Sequence, residues 1–274
     1  MIKNITIGSD PEFFIFNKEY PESSIGLITG TKQNPEEVNP GYGILKDNVL
    51  IEGNIPPAKT KEEFVNNMKQ LKGFMNNLIK PYKIVSQNSA KFTADQLNNK
   101  EARTFGCAPY FNAWTLEINS PASLVDLEYR TSGTHIHCGY DYEGDISSDW
   151  LAVYITRVFD YFVVYPSRQI FDDPIRSKYY GDYGNFRIKP YGLEARSLGG
   201  YFSRDEYLEW IYDQTIKAIM FCDNLENIKK LDKITSPDTN VEKNYEILNI
   251  KLENQIYGNI IDIKPNIIPV KETL

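Results

Sequence analysis

Six pairs of charged or polar residues stand two positions apart within otherwise strand-like stretches of the 274-residue chain. Side chains at positions i and i+2 of a β-strand point to the same face. If these stretches join one sheet in register, one face collects carboxylates, both imidazoles and three cations, while the opposite face packs against helices. The pattern therefore predicts an active site on one face of a β-sheet. The pairs are Asp10/Glu12, Glu52/Asn54, Glu117/Asn119, His135/His137, Arg187/Lys189 and Glu194/Arg196.

Any one of these pairs is explained as well by a strand surface that faces water, because most charged residues are exposed. The joint pattern is harder to explain in that way. The chain has two histidines, and they occur together as His135 and His137, between Gly133 and Gly139. Glycine allows close approach of the backbone to a ligand. We therefore expect both histidines to have functional roles.

Strand-like patterns cover residues 2–16, 49–55 and 115–118, and the first is predicted to break at Asp10-Pro11. Segment 20–46, which lies between the first two patterns, contains several glycines and prolines. We expect it to form a strand and a mobile flap over the site.

Helical periodicity predicts two long helices in the first two thirds of the chain. The first begins at a capping box formed by Thr60 and Glu63 and ends at Pro81. The second begins near Ser148, contains mostly apolar residues, and is predicted to stop at Pro166.

A third helix is predicted from Ser203, where Glu206 completes another capping box. Strands interleaved with three helices favour an α+β fold over a regular βαβ array. We expect residues 1–235 to form the catalytic domain and residues 236–274 to form a C-terminal extension, to which the sequence assigns no role.

The composition of the chain argues against several classes of protein. A net charge of −7 argues against nonspecific nucleic-acid binding, which needs a basic surface. No run of about 18 apolar residues predicts a membrane span, and no signal-peptide pattern precedes the first strand. Three widely spaced cysteines without a C-x-x-C pair predict neither a disulfide framework nor a structural zinc site. We expect a cytoplasmic protein without a membrane partner.

The polar pairs also indicate a chemistry. Carboxylates with an imidazole, and without cysteine at ligand spacing, suit Mg²⁺ or Mn²⁺ better than structural zinc. The planar guanidinium groups of Arg187 and Arg196 suit phosphate oxygens, and Lys189 adds a point charge. With a metal ion, these cations would neutralise the charge that develops in phosphoryl transfer. Nucleotide binding by Arg187, Lys189, Arg196 and His135 is therefore predicted.

Two other features are weaker. The glycine-rich stretch 180–185 is neither a Walker loop nor a dinucleotide fingerprint, so a plain turn is the simpler interpretation. Cys107 lies in no motif of a nucleophilic cysteine, and a small buried apolar role is favoured over a nucleophile.

The order and spacing of several motifs resemble the bacteriophage carboxylate-amine ligase family, a branch of the glutamine synthetase and gamma-glutamylcysteine synthetase superfamily. The resemblance covers about residues 5–210, and its most specific part is the two-histidine segment followed by Arg187 and the Glu194-x-Arg196 segment. The motifs are Gly8-Ser9-Asp10-Pro11-Glu12-Phe13, Asp47-Asn48-Val49-Leu50-Ile51-Glu52-Gly53-Asn54 with Pro56-Pro57, Phe105-Gly106-Cys107-Ala108-Pro109, Arg130-Thr131-Ser132-Gly133-Thr134-His135-Ile136-His137 and Gly184-Asn185-Phe186-Arg187-Ile188-Lys189-Pro190-Tyr191-Gly192-Leu193-Glu194-Ala195-Arg196.

The resemblance implies a largely antiparallel, curved β-sheet with helices on one face and an active site on the other. It also implies two or three divalent ions around ATP. The implied metal ligands are Glu12, Glu52, His137 and Glu194, with Asp10 and Glu117 as further members of the set. Asp10 stands where the superfamily has a glutamate, so this shorter side chain is expected to reach a metal through water.

The implied reaction joins a carboxylate and an amine into an amide. ATP phosphorylates the substrate carboxylate, and the amine then displaces phosphate, with Arg187, Glu194 and Arg196 as the catalytic residues and segment 20–46 as the lid. The substrates are small molecules or peptides. The chain is much shorter than glutamine synthetase, and the sequence leaves a homo-oligomer open.

Three alternatives remain open. A guanidino kinase-like phosphotransferase would share the fold and transfer phosphate without forming an amide. A cupin-like metal enzyme would use His135, His137 and Glu143 as ligands, although the spacing to Glu143 is too long. A non-catalytic nucleotide-binding module would keep the site without turnover.

Overall fold

A computed structural model describes residues 1–103, 110–119 and 128–251. The strands are β1 (Ile2–Asn17), β2 (Tyr20–Glu22), β3 (Glu36–Asn39), β4 (Tyr42–Asp47), β5 (Leu50–Asn54), β6 (Lys83–Val85), β7 (Ser89–Lys91), β8 (Tyr110–Asn112), β9 (Ile118–Asn119), β10 (Tyr129–Thr131), β11 (Thr134–Tyr142), β12 (Asn185–Lys189) and β13 (Gly192–Ala195). The helices are α1 (Lys61–Leu78), α2 (Ala94–Leu97), α3 (Lys100–Arg103), α4 (Ser148–Phe159), α5 (Tyr165–Ile170), α6 (Pro174–Tyr179), α7 (Leu208–Phe221), α8 (Leu225–Leu231) and α9 (Val241–Leu248).

Eleven of these strands form one sheet in the order β3-β4-β5-β1-β11-β13-β12-β8-β9, with β2 and β6 paired to β1. Each strand pair in this sheet is antiparallel. The remaining two strands, β7 and β10, form a small separate sheet. The predicted α+β class with a largely antiparallel sheet is therefore confirmed.

The long strand β1 organises the sheet because it changes partners along its length. It pairs first with β11, then with β5 at Glu12 and Phe13, and finally with β2 and β6. The predicted break at Asp10-Pro11 is wrong. Pro11 lies where β1 leaves β11 and begins to pair with β5, so its missing N–H interrupts little of either ladder.

One face of the sheet is apolar and is covered by α1, α4 and α7. The predicted capping box at Thr60 is confirmed, and Phe64 and Met75 of α1 are buried against the sheet. Leu78, the last residue of α1, is 37% exposed, and the buried Ile79 follows it. Beyond the acidic residues of β1, the opposite face is closed by a second apolar cluster around Phe14.

The second predicted helix does not stop at Pro166. The chain passes from α4 through a π-helical turn, Asp160–Val164, directly into α5. Pro166 then lies in the first turn of α5, directly after the π-helical turn. The π turn supplies the shift in hydrogen bonding that lets the helix continue.

The third helix begins later than predicted. Residues Gly200–Ser203 and Asp205–Tyr207 form 3₁₀ turns, and α7 follows at Leu208. The capping box expected there is wrong, because the buried Ser203 hydroxyl donates to the carbonyl of Gly200 and contacts the Ser86 hydroxyl instead.

Several loop predictions also change. Segment 20–46 contributes β2, β3 and most of β4 to the sheet. The strand expected over 115–118 is mostly a turn that leads into β9. In the segment predicted as a C-terminal extension, α9 packs on the main core through Tyr245, whose hydroxyl donates to the carbonyl of Tyr161 at 2.6 Å.

Among residues 1–103, 110–119 and 128–251, no helix has the length and apolar character needed to cross a membrane.

Candidate active site

The polar pairs of five adjacent strands (β5, β1, β11, β13 and β12) meet on the face opposite α1, α4 and α7, together with Asp47 of β4. Strand register places Glu12 beside Glu52 and Asp10 beside His135. It also places Glu194 beside both His137 and Arg187. The result is a row in which carboxylates occupy β4, β5 and β1, imidazoles occupy β11, and cations occupy β13 and β12. We call the two parts the acidic end and the basic end.

The acidic end contains Glu12, Asp47 and Glu52, whose nearest ligand oxygens lie within 4.8 Å of one another. Within the described ranges this is the one group of three carboxylate, imidazole or thiol side chains close enough to hold a metal ion. The backbone N–H of Gly133 donates to Glu12 Oε2 at 2.6 Å, and Lys32 Nζ lies 2.8 Å from Asp47 Oδ2. Glu52 Oε2 is buried without a hydrogen-bond partner.

Lys32 is the cation in contact with these three carboxylates, and its charge does not offset burial and their mutual repulsion. Burial, followed by repulsion from Asp47, raises the pKa of Glu12 to about 7. Burial and repulsion from Asp47 and Glu12 also raise the pKa of Glu52 well above its ordinary value. Close carboxylates cannot all ionise easily without a cation among them. A divalent ion with oxygen ligands fits this requirement.

The basic end is arranged around Glu194, which is 2% exposed. Its carboxylate forms ion pairs with Lys189 at 2.7 Å, with Arg187 at 3.5 Å, and with Arg196 in close contact. Arg196 Nη2 also donates to the Tyr180 hydroxyl at 2.7 Å. Burial alone would raise the pKa of Glu194, but the positive charge around it, with Arg196 in direct contact, outweighs burial and holds this pKa far below its ordinary range.

His135 lies between the two ends and is 2% exposed. Arg196 donates to His135 Nδ1 at 3.4 Å, which leaves the proton on Nε2. That Nε2 atom is buried without a hydrogen-bond partner and lies 3.9 Å from Glu12 Oε1. Burial and the charge of Arg196 lower the pKa of His135 well below its ordinary value, so the imidazole is neutral. A ligand oxygen between the two ends would satisfy this N–H.

His137 lies outside the acidic end and contacts Asp10, another of the implied metal ligands. Its Nε2 contacts Asp10 Oδ2 at 2.8 Å, and its Nδ1 contacts the Tyr191 hydroxyl. Both ring nitrogens are therefore engaged outside the acidic end. Asp10, His137 and Glu194 lie on three adjacent strands, and a second cation near them stays a prediction.

Glu117 lies apart from the acidic end of this site. It is exposed in the turn before β9, and its carbonyl accepts from Asn112 N–H at 2.9 Å. β9 is five strands away from β1, a separation on the order of 20 Å at the usual spacing of strands. Regular alternation predicted the face of a strand but not the position of that strand in the sheet.

The cupin-like alternative also fails on position. Glu143 follows the end of β11, is 81% exposed, and pairs with Lys3 at 3.2 Å. Six residues of extended chain separate it from His137, which corresponds to about 20 Å. Cys107 lies outside the described residues.

Sequence reasoning missed Asp47 and Lys32 as members of the site. Asp47 ends β4, and Asn48, with φ of 59°, turns the chain into β5. An Asp-Asn turn between two apolar runs is a hairpin signal that could have identified β4. Lys32 is on the loop before β3, and no local pattern connects it with the acidic end.

A scan against protein-family models finds no match for this sequence, and a search of curated proteins finds none either.

Proposed function

We propose that the protein is an ATP- and Mg²⁺-dependent carboxylate-amine ligase built on a glutamine synthetase-like sheet. The observation that carries the proposal is the division of one sheet face into an acidic and a basic end, with the neutral His135 between them. A complex of a divalent cation with a polyphosphate has the complementary charges. The resemblance to the phage ligase family supplies the type of bond that is formed.

The acidic end suits Mg²⁺ or Mn²⁺. Glu12, Asp47 and Glu52 would hold the ion, and the buried Glu52 Oε2 without a partner is an atom that such an ion would satisfy. All three donors are carboxylate oxygens, which these hard cations prefer. When bound, the ion would reduce the repulsion between the phosphate groups and a substrate carboxylate.

The basic end suits the phosphates of ATP. Three cations share a single carboxylate, so this region keeps excess positive charge. Arg196 is held in place by Glu194 and by the Tyr180 hydroxyl. A guanidinium group that is already oriented stabilises developing negative charge without a cost of reorganisation. Arg187 and Lys189 would hold the phosphate chain.

The reaction needs no nucleophile from the protein. The substrate carboxylate attacks the γ-phosphorus of ATP, the bond to ADP breaks, and an acyl phosphate forms. The amine then attacks the acyl carbon, phosphate leaves, and an amide remains. Cys138 is an unsuitable nucleophile, because burial raises the pKa of its thiol to about 12.

The proposal is tested by phosphate release from ATP and Mg²⁺ across pools of carboxylic acids and amines, with product masses recorded. A ligase releases phosphate only when an acid and an amine are both present, and the product has the mass of the two joined with loss of water. A phosphorylated acceptor without condensation would favour a phosphotransferase. ATP binding without turnover would favour a non-catalytic module.

Two variants connect the activity with the site. Glu52→Gln removes one charge from the acidic end while keeping the shape of the side chain, and it should abolish phosphate release. Glu117→Gln makes the same chemical change at the far edge of the sheet and should leave the rate unchanged. Equal activity of both variants would remove the acidic end from the mechanism.

A further inference from the structure

Lys32 is the one lysine that the structure places against the acidic end within the described residues. Its Nζ lies 2.8 Å from Asp47 Oδ2; the Asp47 side chain is 18% exposed and the Lys32 side chain is 36% exposed. Burial would lower the pKa of Lys32, but attraction to Asp47 and Glu52 outweighs burial and raises it, so the ammonium group stays charged. Three carboxylates therefore share a single monovalent cation.

The backbone around Lys32 is anchored to the sheet. The carbonyl of Gly30 accepts from Lys46 N–H at 3.0 Å, and Thr31 and Asn34 exchange two backbone hydrogen bonds. A Cβ atom at Gly30 would collide with the carbonyl oxygen of Ile44, so only glycine permits this approach. The tight turn 31–34 is thus held where the flexible stem of Lys32 reaches Asp47.

A divalent ion and the Lys32 ammonium cannot both use Asp47 without a cost. A metal ion would lie about 2.1 Å from the carboxylate oxygens that bind it. With the ammonium group at its present distance from Asp47, the two cations would be close neighbours with little water between them, and like charges repel strongly there. The four-carbon stem lets the ammonium group move away without a change in the backbone.

We propose that Lys32 is a built-in counterion of the acidic end, which a divalent cation displaces from Asp47 when it binds. This inference rests on the metal site of the proposed function. A buried donor also supports a ligand at this place: the N–H at His135 Nε2 lacks a hydrogen-bond partner and lies 3.9 Å from Glu12 Oε1, and an oxygen bound to the ion would satisfy it. Lys32 would thereby set the concentration of divalent ion at which the site fills.

The test is calorimetric titration of the full chain with Mn²⁺ at pH 8.5, where protons compete least for the carboxylates. Lys32→Met should bind Mn²⁺ about tenfold more tightly than the wild type, the effect of one nearby charge. Lys46→Met is the matched control, because Lys46 pairs with Glu101 at 2.7 Å instead of with the three carboxylates. It should bind Mn²⁺ with unchanged affinity.

Unchanged or weaker binding by Lys32→Met would overturn the inference. Glu52→Gln separates this failure from failure of the proposed function. Suppose that the wild type and Lys32→Met bind Mn²⁺ with equal affinity and that Glu52→Gln does not bind it. This result would support the metal site and contradict the proposed role of Lys32. If the wild type binds no Mn²⁺, both fall.

A second measurement needs no variant. An amine-reactive acetylating reagent, with mass spectrometry of the modified peptides, reports the accessibility of each lysine. Mn²⁺ should increase the acetylation of Lys32 several-fold and leave Lys46 unchanged. Equal acetylation of Lys32 with and without Mn²⁺ would show that the ammonium group is not displaced.

Discussion

The two ends of the polar face balance their charges in opposite ways. At the acidic end, three carboxylates share Lys32. At the basic end, three cations share Glu194. Each end therefore carries an excess charge that the other end, two or three strands away, does not neutralise. Charge arranged in this way destabilises an empty site and favours a ligand that carries both signs.

Because the two ends carry opposite excess charge, the free energy of unfolding of variants at each end tests whether the two ends form a ligand site. Removing a carboxylate from the acidic end relieves repulsion, whereas removing Glu194 leaves three cations without their shared partner. Glu52 and Glu194, two glutamates on the same face, should therefore respond to substitution with opposite signs. A fold in which both carboxylates were merely structural would lose stability in both cases.

The largest effect is expected for Glu194→Ala. Removal of one partner from a buried ion pair costs roughly 3–5 kcal/mol, because the remaining charges stay buried. Urea unfolding should show a loss of this size. Glu194→Gln keeps the hydrogen-bond acceptor and should lose less. A loss of unfolding free energy below about 1 kcal/mol in the alanine variant would show that the three cations do not need the Glu194 carboxylate for stability.

Mg²⁺ should stabilise the wild type by a smaller amount. A ligand at ten times its dissociation constant contributes about 1.4 kcal/mol. For a chain of this size, the unfolding temperature should rise by roughly 3–5 °C. Differential scanning fluorimetry measures this shift, and Glu52→Gln should show none. An equal shift in both proteins would place the ion elsewhere.

Without metal, Glu52→Gln should be more stable than the wild type at pH 8. The expected gain is about 1 kcal/mol, which corresponds to less than one pKa unit of relieved repulsion. Chemical denaturation in the presence of a chelator measures it. A loss of stability would show that Glu52 is a well-paired structural carboxylate.

The stability that Glu52→Gln gains over the wild type should depend on pH, and the direction of this dependence follows from the pKa of Glu12. The pKa of Glu12 is about 7 in the folded protein, whereas an unperturbed glutamate has a pKa of 4.5. The folded state therefore binds more protons between these values, and its stability falls as the pH rises through this window. The gain from Glu52→Gln should shrink between pH 8 and pH 5, because protonation relieves the same repulsion in the wild type.

The smallest effect is expected for Glu117→Gln. Its side chain is exposed at the far edge of the sheet. Stability, Mg²⁺ response and Mn²⁺ affinity should all equal those of the wild type. A weaker response to Mg²⁺ in this variant would show that the edge strands contribute to the metal site after all.

Predictions from local patterns succeeded where the physics is local. The alternation of Asp10 with Glu12 and of His135 with His137 follows from the two-residue repeat of a strand, whatever its partners. The capping box of Thr60 and Glu63 is satisfied within one turn of helix. Pro166 was misread because the π turn before it depends on the packing of a buried helix.

The candidate site shows the same limit. Asp47 was missed because it lies just past a segment expected to form a strand and a mobile flap. Alternation could not show that Glu117 lies near a strand five places from β1, because it says nothing about strand order. The two histidines have equivalent sequence patterns, yet His135 is buried between the two ends and His137 pairs with Asp10 and Tyr191. Only neighbours from other strands distinguish them.

The sequence by itself determined that polar side chains share strand faces, that helices cover the other face, and that the fold is α+β. These features depend on periodicity and capping, which act over a few residues. The tertiary structure alone decided which carboxylates meet, that Glu194 joins the cations, and that Lys32 reaches Asp47. Those contacts depend on strand order and register, which are set by packing between residues far apart in the chain.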